Sequence, residues 1–459
     1  MAKQQTVEIA QILDNNKISG FQVGVFVLSG LCLIMDGFDV QALGYLAPAI
    51  IKDWKLAPAQ MGPVLSAALF GILVGSFVFS AVADKIGRRP VLIVATLFFA
   101  VVTLMTARVT TLGELRFIRF IAGVGLGGIM PNAVALVGEY TPRRFRVLMM
   151  LVVANGFNLG AVIGGLVSAW MVPTYGWRSV FYVGGAIPLV IGVLMLARLP
   201  ESLQFLVLRG KASAQVAAWV KRIDPTTKVD ANTTFVVREE KGKGMPILHL
   251  FSEGRALGTL LLWVINFMNL LNLYFLAGWL PTIVGTFPSI VGSSYSLRAP
   301  QFVGTMLQLG GVIGTFAFSW LIGRLGFIPV LATAFFTGCV TVALIGQPAL
   351  ALVLLFGVVF IAGFCIVGGQ GAVNALAATY YPTNLRSTGV GSGLGVGRIG
   401  GIIGPSLAGI LVGAHWAPSE IFLAAAIPAL ISAVTMLSLR WVMKSHKSQP
   451  VPKSEILAH

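Results

Sequence analysis

Charged residues are scarce in this sequence. Only 10% of its 459 residues are Asp, Glu, Lys or Arg, and 56% are hydrophobic. Soluble domains carry roughly 25% charged residues, so this chain cannot cover its own surface with polar groups. The composition therefore excludes an ordinary soluble protein and predicts that lipid covers much of the surface.

Cysteine and histidine are also few, and the sequence lacks a P-loop. The cysteines lie singly in apolar segments and the histidines in loops or tails, without the spacing of a disulfide framework or a metal site. These absences predict no metal, no other cofactor and no ATP-driven activity, and they argue against a membrane enzyme. The residues concerned are Cys32, Cys339, Cys365, His249, His415, His446 and His459.

Long apolar runs are present instead. A transmembrane helix needs ~20 mostly apolar residues, and twelve segments meet that length, which predicts an all-α integral membrane protein. The polar N-terminus has no short apolar core or cleavage site and is expected to be a tail, not a signal peptide. The predicted spans lie near 22–48, 60–82, 90–109, 112–138, 147–171, 178–198, 256–285, 301–323, 327–346, 349–378, 388–413 and 418–443.

Positive charge exceeds negative charge, with a net value of +16. Nucleic-acid binding would explain such an excess, but the distribution of the charges argues against it. If the N-terminus is cytoplasmic, most of the 32 Lys and Arg residues fall in cytoplasmic loops, as the positive-inside rule requires. The sequence thus predicts a multi-pass protein of the bacterial inner membrane with both termini in the cytoplasm.

The predicted spans form two similar sets of six, separated by one long polar stretch. Three stretches of the first set align with three of the second in the same order, which predicts an internal duplication. They are 34–50 with 267–283, "EYTPRRFR" with "TYYPTNLR" (379–386), and "FNLGAVIGG" with "GRIGGIIGP" (397–405). The expected parts are an N-terminal half (1–198), a cytoplasmic linker (199–252), a C-terminal half (253–443) and a cytoplasmic tail (444–459).

Two acids stand inside the first predicted span, Asp36 and Asp39 in "LCLIMDGFDVQALGYLAPAI" (31–50). A charge at the centre of a bilayer costs at least ~2.5 kcal/mol. The aligned positions of the second half are Asn269 and Asn272. Polarity at both positions would serve packing, whereas negative charge in one half alone indicates a separate task.

Several motifs resemble those of a known family. "GILVGSFVFSAVADKIGRRPVLI" (71–93) resembles the signature loop of the major facilitator superfamily, and "EYTPRRFR" and "LPESLQFLVLRGK" (199–211) fit the same superfamily. "DGFD" is similar to the Asp-Gly-x-Asp motif of its aromatic acid:proton symporter family. The resemblance implies twelve helices in two pseudo-symmetric halves and a hydroxybenzoate-like substrate. It also implies that Asp36 and Asp39 couple protons to transport.

Acids and arginines also stand together at the predicted cytoplasmic ends of the spans. The resemblance implies ion pairs that latch this side shut and break when it opens; ordinary solvation of charged loops is the alternative. The residues of this predicted cytoplasmic gate are Asp84, Arg88, Arg89, Glu139, Arg143, Arg146 and Arg386.

Two further arginines lie inside predicted spans. Arg119 lies about 10 Å into the fourth span by helical rise, at a depth similar to that of the two acids. It forms either a fixed structural ion pair or part of a protonation switch. The "GVGLGG" that follows it has no preceding strand, which excludes a dinucleotide site.

Arg398 lies near the midplane of the eleventh predicted span, where an arginine should face a wet cavity. Its planar fork suits a carboxylate, and its counterpart in the first half is the uncharged Asn158. We expect Arg398, with Arg119, to bind the substrate's carboxylate. The aromatic and amide candidates for the ring pocket, each of which could instead serve packing, are Phe38, Asn155, Asn158, Tyr274, Trp279, Gln370 and Asn374.

The sequence therefore predicts a symporter that works by alternating access. A receptor or channel would not need two duplicated halves, and the fifth span lacks the Gly-Pro pair that marks many drug antiporters of the superfamily. A proton symporter of a sugar or another organic anion is the alternative. The expected partners are a small aromatic carboxylate, protons as the coupling ion and membrane lipid, with no nucleic acid, for a monomer.

Overall fold

The computed structural model describes residues 6–209, 213–224, 234–236, 246–291, 298–382 and 385–447. The chain divides into two compact units, Met1–Glu240 and Lys241–His459, which we call the N unit and the C unit. The division falls inside the polar stretch 199–252, and the first part of that stretch folds with the N unit. Most of the predicted C-terminal tail, 448–459, lies outside the described residues.

The N unit is built on six long helices. They are α1 Gly20–Trp54, α2 Met61–Ile86, α3 Arg88–Thr106, α4 Leu112–Tyr140, α5 Arg143–Tyr175 and α6 Trp177–Arg198. A 3-10 turn, Pro58–Gln60, precedes α2, and α4 is interrupted at Gly128. The shorter elements are the helices Ile9–Asn15, Leu203–Leu208 and Ser213–Ile223 and the parallel strands β1 Thr6–Glu8 and β2 Thr234–Val236.

The C unit repeats this plan. Its long helices are α7 Ala256–Val284, α8 Ala299–Leu325, α9 Phe327–Ile345, α10 Leu352–Tyr380, α11 Arg386–Gly413 and α12 Pro418–Lys447. Short helices cover Pro246–His249 and Pro288–Val291. Within the described ranges, twelve helices are long and apolar enough to cross a membrane, which confirms the all-α membrane fold and the predicted number of spans.

Local signals set the length of α1. Ser19 and Gln22 form a capping box, in which Gln22 Oε1 accepts from the Ser19 N–H at 2.8 Å and Ser19 Oγ accepts from the Gln22 N–H at 3.4 Å. At the other end, Lys55 adopts a left-handed conformation with φ 53°. The helix therefore extends beyond the apolar run 22–48 at both ends, because caps and not hydrophobicity decide where a helix stops.

Glycines bring α1 and α5 into backbone contact. A Cβ on Gly37 would lie 1.8 Å from the backbone oxygen of Phe157, and a Cβ on Gly160 would lie 1.8 Å from that of Ile34. No side chain fits at these distances, so both positions require glycine. The contact fixes the helix that carries Asp36 and Asp39.

The C unit uses the same device between α7 and α11. A Cβ on Gly400 would lie 2.3 Å from the backbone oxygen of Phe267. In the alignment of the two halves, Gly400 corresponds to Gly160 and Phe267 to Ile34. The same close contact at corresponding positions supports the internal duplication.

We expect Gly37→Ala to destabilise the protein strongly. Overpacking typically costs 1–3 kcal/mol or more, and here the clash is with backbone that cannot rotate away. Thermal unfolding of the purified protein should show a clearly lowered midpoint. Gly30→Ala is the matched control, since a Cβ on Gly30 of the same helix meets nothing within 4 Å. Equal midpoints for the two variants would contradict the close contact.

Candidate functional site

An ion pair is buried inside the N unit between α1 and α4. Arg119 Nη2 lies 2.7 Å from Asp39 Oδ2, and Nη1 lies 3.2 Å from Oδ1, so the guanidinium donates to both carboxylate oxygens. Nη2 also donates to the Asp39 backbone oxygen at 3.2 Å. From α3, Thr103 Oγ1 donates to Oδ1 at 2.9 Å. Three helices thus meet at one carboxylate.

This site is closed off from solvent. The side chain of Arg119 is 0% exposed and that of Asp39 is 1% exposed. Arg119 Cζ also lies 5.5 Å from the centroid of the Phe181 ring of α6, within cation–π range. Removing one partner of such a buried pair leaves an uncompensated charge, at a cost of ~3–5 kcal/mol. Loss of either charge would therefore disturb the packing of α1, α3, α4 and α6 around the pair.

Asp36 lies one turn before Asp39 on α1 and is also buried, with 4% of its surface exposed. Cys32 precedes it by a further turn, and Cys32 Sγ lies 3.0 Å from Thr96 Oγ1 of α3. The N unit therefore holds two buried acids in successive turns of one helix, as the sequence predicts.

The C unit has uncharged residues at the positions that correspond to Asp39, Arg119 and Thr103. Helices α3 and α9 are both 19 residues long and both follow a glycine with positive φ, so Thr103 and Val342 occupy the same position. Helices α4 and α10 are both 29 residues long and both end at tyrosine, so Arg119 corresponds to Val359. Asn272 stands where the N unit has Asp39. Both ionisable groups and the hydroxyl are thus absent from the second copy.

The side chain of Asn272 consequently lacks a hydrogen-bond partner among the described residues. Its side chain is 0% exposed, and neither Nδ2 nor Oδ1 has a hydrogen-bond partner in the described part of the chain. A buried polar group without a partner costs ~1–3 kcal/mol. The neighbouring Asn269 differs, because its Nδ2 donates to Gln370 Oε1 at 2.7 Å and to the Ile366 oxygen at 3.2 Å.

We expect Asn272→Leu to stabilise the protein by about 1 kcal/mol or more, because it removes the unsatisfied amide. Asn269→Leu is the matched control on the same helix. It should destabilise the protein, because it removes the hydrogen bonds from Asn269 to Gln370 and Ile366. Thermal unfolding of both purified variants tests this. A lowered midpoint for Asn272→Leu would mean that its amide has a partner after all, such as water or a bound molecule.

Amide side chains connect α7 and α10 in the C unit. Gln370 Nε2 donates to Asn266 Oδ1 at 3.0 Å and to Asn374 Oδ1 at 3.3 Å, while its Oε1 accepts from Asn269. The structure thus brings together Gln370 and Asn374, both of which the sequence singles out. It adds Asn266, which the sequence analysis missed; its spacing of three residues from Asn269 on one helix face was the available signal.

Arg398 lies on α11 and is half-buried. Tyr274 of α7 packs against α11 at Gly401, three residues after Arg398, since a Cβ on Gly401 would lie 2.8 Å from Tyr274 Cδ2. Trp279 of α7 donates its Nε1–H to the Pro405 oxygen of α11 at 2.8 Å. The arginine and the two aromatic candidates of the C unit therefore share the α7–α11 contact region.

The remaining pocket candidates lie in the N unit. Asn158 Nδ2 donates to Asn155 Oδ1 at 2.9 Å on α5. Phe38 is 2% exposed, and its side chain is 3.4 Å from a Cβ built on Gly164 and 3.0 Å from one built on Gly184. Phe38 therefore fills the space among α1, α5 and α6.

The predicted gate lies at the end of the N unit where α1 begins and α6 ends, which we call the linker face. Arg88 Nε donates to Glu139 Oε1 at 2.6 Å, and Ser202 Oγ donates to Glu139 Oε2. Arg89 instead donates to backbone oxygens, Leu199 O and Leu196 O, both at 2.7 Å. One predicted acid–arginine contact is thus formed, and Arg89 caps the end of α6.

The other predicted gate residues have different surroundings. Arg143 Nε lies 3.5 Å from Asp14 Oδ2, an acid that the sequence analysis missed. Asp84 is exposed, and within the described ranges no cation lies within ion-pair distance of its carboxylate. Arg146 is half-buried in the N unit and Arg386 is exposed in the C unit.

Glu201 is a further residue that the sequence analysis missed. Its Oε1 accepts from the backbone N–H groups of Arg88, Arg89 and Ser202 at 2.9, 3.1 and 2.8 Å. A carboxylate at the N-terminus of α3 is stabilised by the helix dipole and by unpaired N–H groups. Its place in "LPESLQF" (199–205), a motif that fits the superfamily, was the available signal.

Comparison with known proteins places these features in a family. The family model described as "Major Facilitator Superfamily" matches residues 30–391 and 262–459. The 4-hydroxybenzoate transporter PcaK of Pseudomonas aeruginosa is 36% identical, covering 94% of this chain and 96% of that protein. A gallate transporter of Pseudomonas putida is 36% identical (94% and 95%), and a benzoate transport protein of Acinetobacter baylyi is 32% identical (98% and 96%).

Solved structures agree on the fold. A bacterial homologue of the human lysosomal transporter Spinster has a TM-score of 0.70 at 15% identity, covering 94% of this chain and 99% of that one. The nucleoside transporter NupG has a TM-score of 0.67 at 16% identity, covering 92% of this chain and 99% of that one.

The family model and the relatives together assign the chain. It is a multi-pass membrane transporter, not an enzyme, and it belongs to the Major Facilitator Superfamily, in the branch that holds these aromatic-acid transporters.

Proposed function

We propose that this protein imports an aromatic carboxylate, hydroxybenzoate-like, together with protons across the bacterial inner membrane by alternating access, with both termini in the cytoplasm. The observation that carries the proposal is the buried Asp39–Arg119 pair, present in the N unit and replaced by Asn272 and Val359 in the C unit. A transporter that only needed stable helix packing would gain nothing from keeping charges in one copy.

Protonation of Asp39 supplies the coupling step in this proposal. A proton on the carboxylate removes the negative charge that Arg119 contacts, so the guanidinium loses its charge-assisted bonds and its neighbours repack. Asp36, one turn away, is the second proton acceptor. Protons enter from outside, and no other cofactor takes part.

Arg398 supplies the substrate contact. Its guanidinium offers a planar pair of donors that matches a carboxylate, and Tyr274 provides an aromatic ring on the adjacent helix. The names of the relatives, which are transporters of 4-hydroxybenzoate, gallate and benzoate, support an aromatic carboxylate rather than the alternative, a sugar or another organic anion. We propose that a monomer carries out the cycle.

Uptake by proteoliposomes tests the function directly. Purified protein should accumulate labelled 4-hydroxybenzoate or benzoate when the outside is acidic, and a protonophore should abolish the accumulation. Glucose and a short aliphatic acid serve as comparison substrates under the same gradient. Preferred uptake of either one would contradict the aromatic specificity, and accumulation that ignores the protonophore would contradict proton coupling.

A further inference from the structure

A cavity of about 580 Å³ opens at the linker face of the N unit. Its walls come from the ends of α2 and α6, from the beginnings of α1 and α3, and from the short helices Leu203–Leu208 and Ser213–Ile223. Because four long spans begin or end at this point, the cavity lies at the level where a membrane meets water. The transport cycle proposed above makes no use of it.

The cavity is positively charged. Of the described residues that line it, the cations are Lys85, Arg89, Arg198 and Arg222, and the acid is Glu201. Glu201 already accepts from the backbone N–H groups of Arg88 and Arg89 at the start of α3 and from that of Ser202, so its charge is balanced there. The lining therefore keeps an excess of positive charge.

Three of these cations are available to a ligand. Lys85, Arg198 and Arg222 are exposed, and no described acid lies within ion-pair distance of them. The guanidinium of Arg222 lies 5.9 Å from the Phe21 ring, which holds it over the cavity wall. Arg89, by contrast, already donates to two backbone oxygens.

The rim of the cavity is apolar. Ile86 lines it and is 52% exposed, and Leu196, beside the lining residues at the end of α6, is 50% exposed. Trp219 of the helix Ser213–Ile223 is half-buried in the lining, and tryptophan favours the membrane–water interface. A small soluble anion would use the cations and leave this apolar rim bare, whereas a lipid uses both.

We propose that this cavity binds an anionic phospholipid, with its phosphate among Lys85, Arg198 and Arg222 and its acyl chains along Ile86 and Leu196. Basic pockets beside transmembrane helices recognise lipid headgroups in this way, and each cation near a membrane surface strengthens binding about fivefold. The proposal stands independently of which solute the protein carries.

Binding of phosphatidylglycerol to the purified full-length protein in detergent tests the proposal. Native mass spectrometry should show phosphatidylglycerol bound in preference to phosphatidylcholine. The double variant Arg198→Gln/Arg222→Gln should bind phosphatidylglycerol about thirtyfold more weakly. Lys221→Gln is the matched control, because Lys221 is exposed beside Arg222 on the same helix but does not line the cavity. It should bind as wild type does.

If the double variant folds poorly, the thermal midpoint of wild type still tests the proposal. Phosphatidylglycerol should raise the thermal midpoint of wild type, and inorganic phosphate at the same concentration should not. Equal effects of the two would assign the cavity to a soluble anion and overturn the lipid. Equal binding of phosphatidylglycerol and phosphatidylcholine, or an equal loss in Lys221→Gln, would also overturn the proposal.

Discussion

Asp39→Asn should abolish proton-driven accumulation of the substrate. The amide keeps the size of the carboxylate but cannot titrate, and it leaves the Arg119 guanidinium, 0% exposed, without a counter-charge. Because an uncompensated buried charge costs ~3–5 kcal/mol, the single variant should also be markedly less stable. Accumulation in proteoliposomes and the thermal midpoint measure the two effects separately.

A second variant separates coupling from folding. Asp39→Asn/Arg119→Val copies the arrangement that the C unit already has at Asn272 and Val359, and it removes both charges of the pair together. We expect it to recover much of the lost stability while remaining unable to accumulate substrate. Accumulation at the wild-type level by this double variant would contradict the proton-coupling role of Asp39.

Asp53→Asn provides the matched control on the same helix. Asp53 also pairs with an arginine, Arg178, at 3.1 Å, but the two side chains are 49% and 38% exposed. Exposed ion pairs contribute less than ~1 kcal/mol. This variant should therefore keep both stability and accumulation close to those of wild type.

Arg398→Lys should lower substrate affinity by about tenfold or more. A lysine keeps the positive charge but cannot reproduce the planar two-donor fork, and the loss of a charge-assisted hydrogen bond costs roughly 1.5–3 kcal/mol. The variant should also discriminate less between the acid and its carboxamide. Binding of both ligands to purified wild type and variant measures this.

Arg440→Lys is the control for Arg398→Lys, since Arg440 lies on α12 of the same unit, is exposed and belongs to none of the predicted sites. It should bind the acid as wild type does. If well-folded Arg398→Lys keeps the full preference for the acid, the carboxylate is bound elsewhere and Arg119 becomes the leading candidate. A purely structural Arg398 would show instead as low yield with unchanged selectivity.

The spans were predictable from the sequence because each apolar run is long enough to cross a bilayer. Their ends were less so, since the extension of α1 to Trp54 depends on caps rather than on hydrophobicity. Helical rise placed Arg119 near the two acids in depth. It could not decide which acid the guanidinium contacts, because Asp36 and Asp39 share one helix face and the choice depends on how the helices are rotated against each other.

The contacts of Glu201 were beyond sequence reasoning for a different reason. Its partners are backbone N–H groups, and these carry no residue-specific signal. The polarity of 199–252 predicted a solvated linker, yet Glu201 and Ser202 are buried against the N unit. Likewise, the unsatisfied amide of Asn272 became visible only when Val342 and Val359 were matched to Thr103 and Arg119 in the structure.

The capping of α3 by Glu201 has a consequence for protein engineering. Truncation at Arg198, where the last span of the N unit ends, would remove two contacts from a half-transporter. These are the Glu201 carboxylate at the start of α3 and the hydrogen bond that Ser202 Oγ donates to Glu139. Designs for split-protein complementation, or for fusion of a reporter between the halves, should therefore keep the chain intact through at least Ser202. A tag inserted between Leu199 and Leu203 would displace Glu201 and Ser202 from their contacts with the ends of α3 and α4, although that site belongs to a loop by hydropathy.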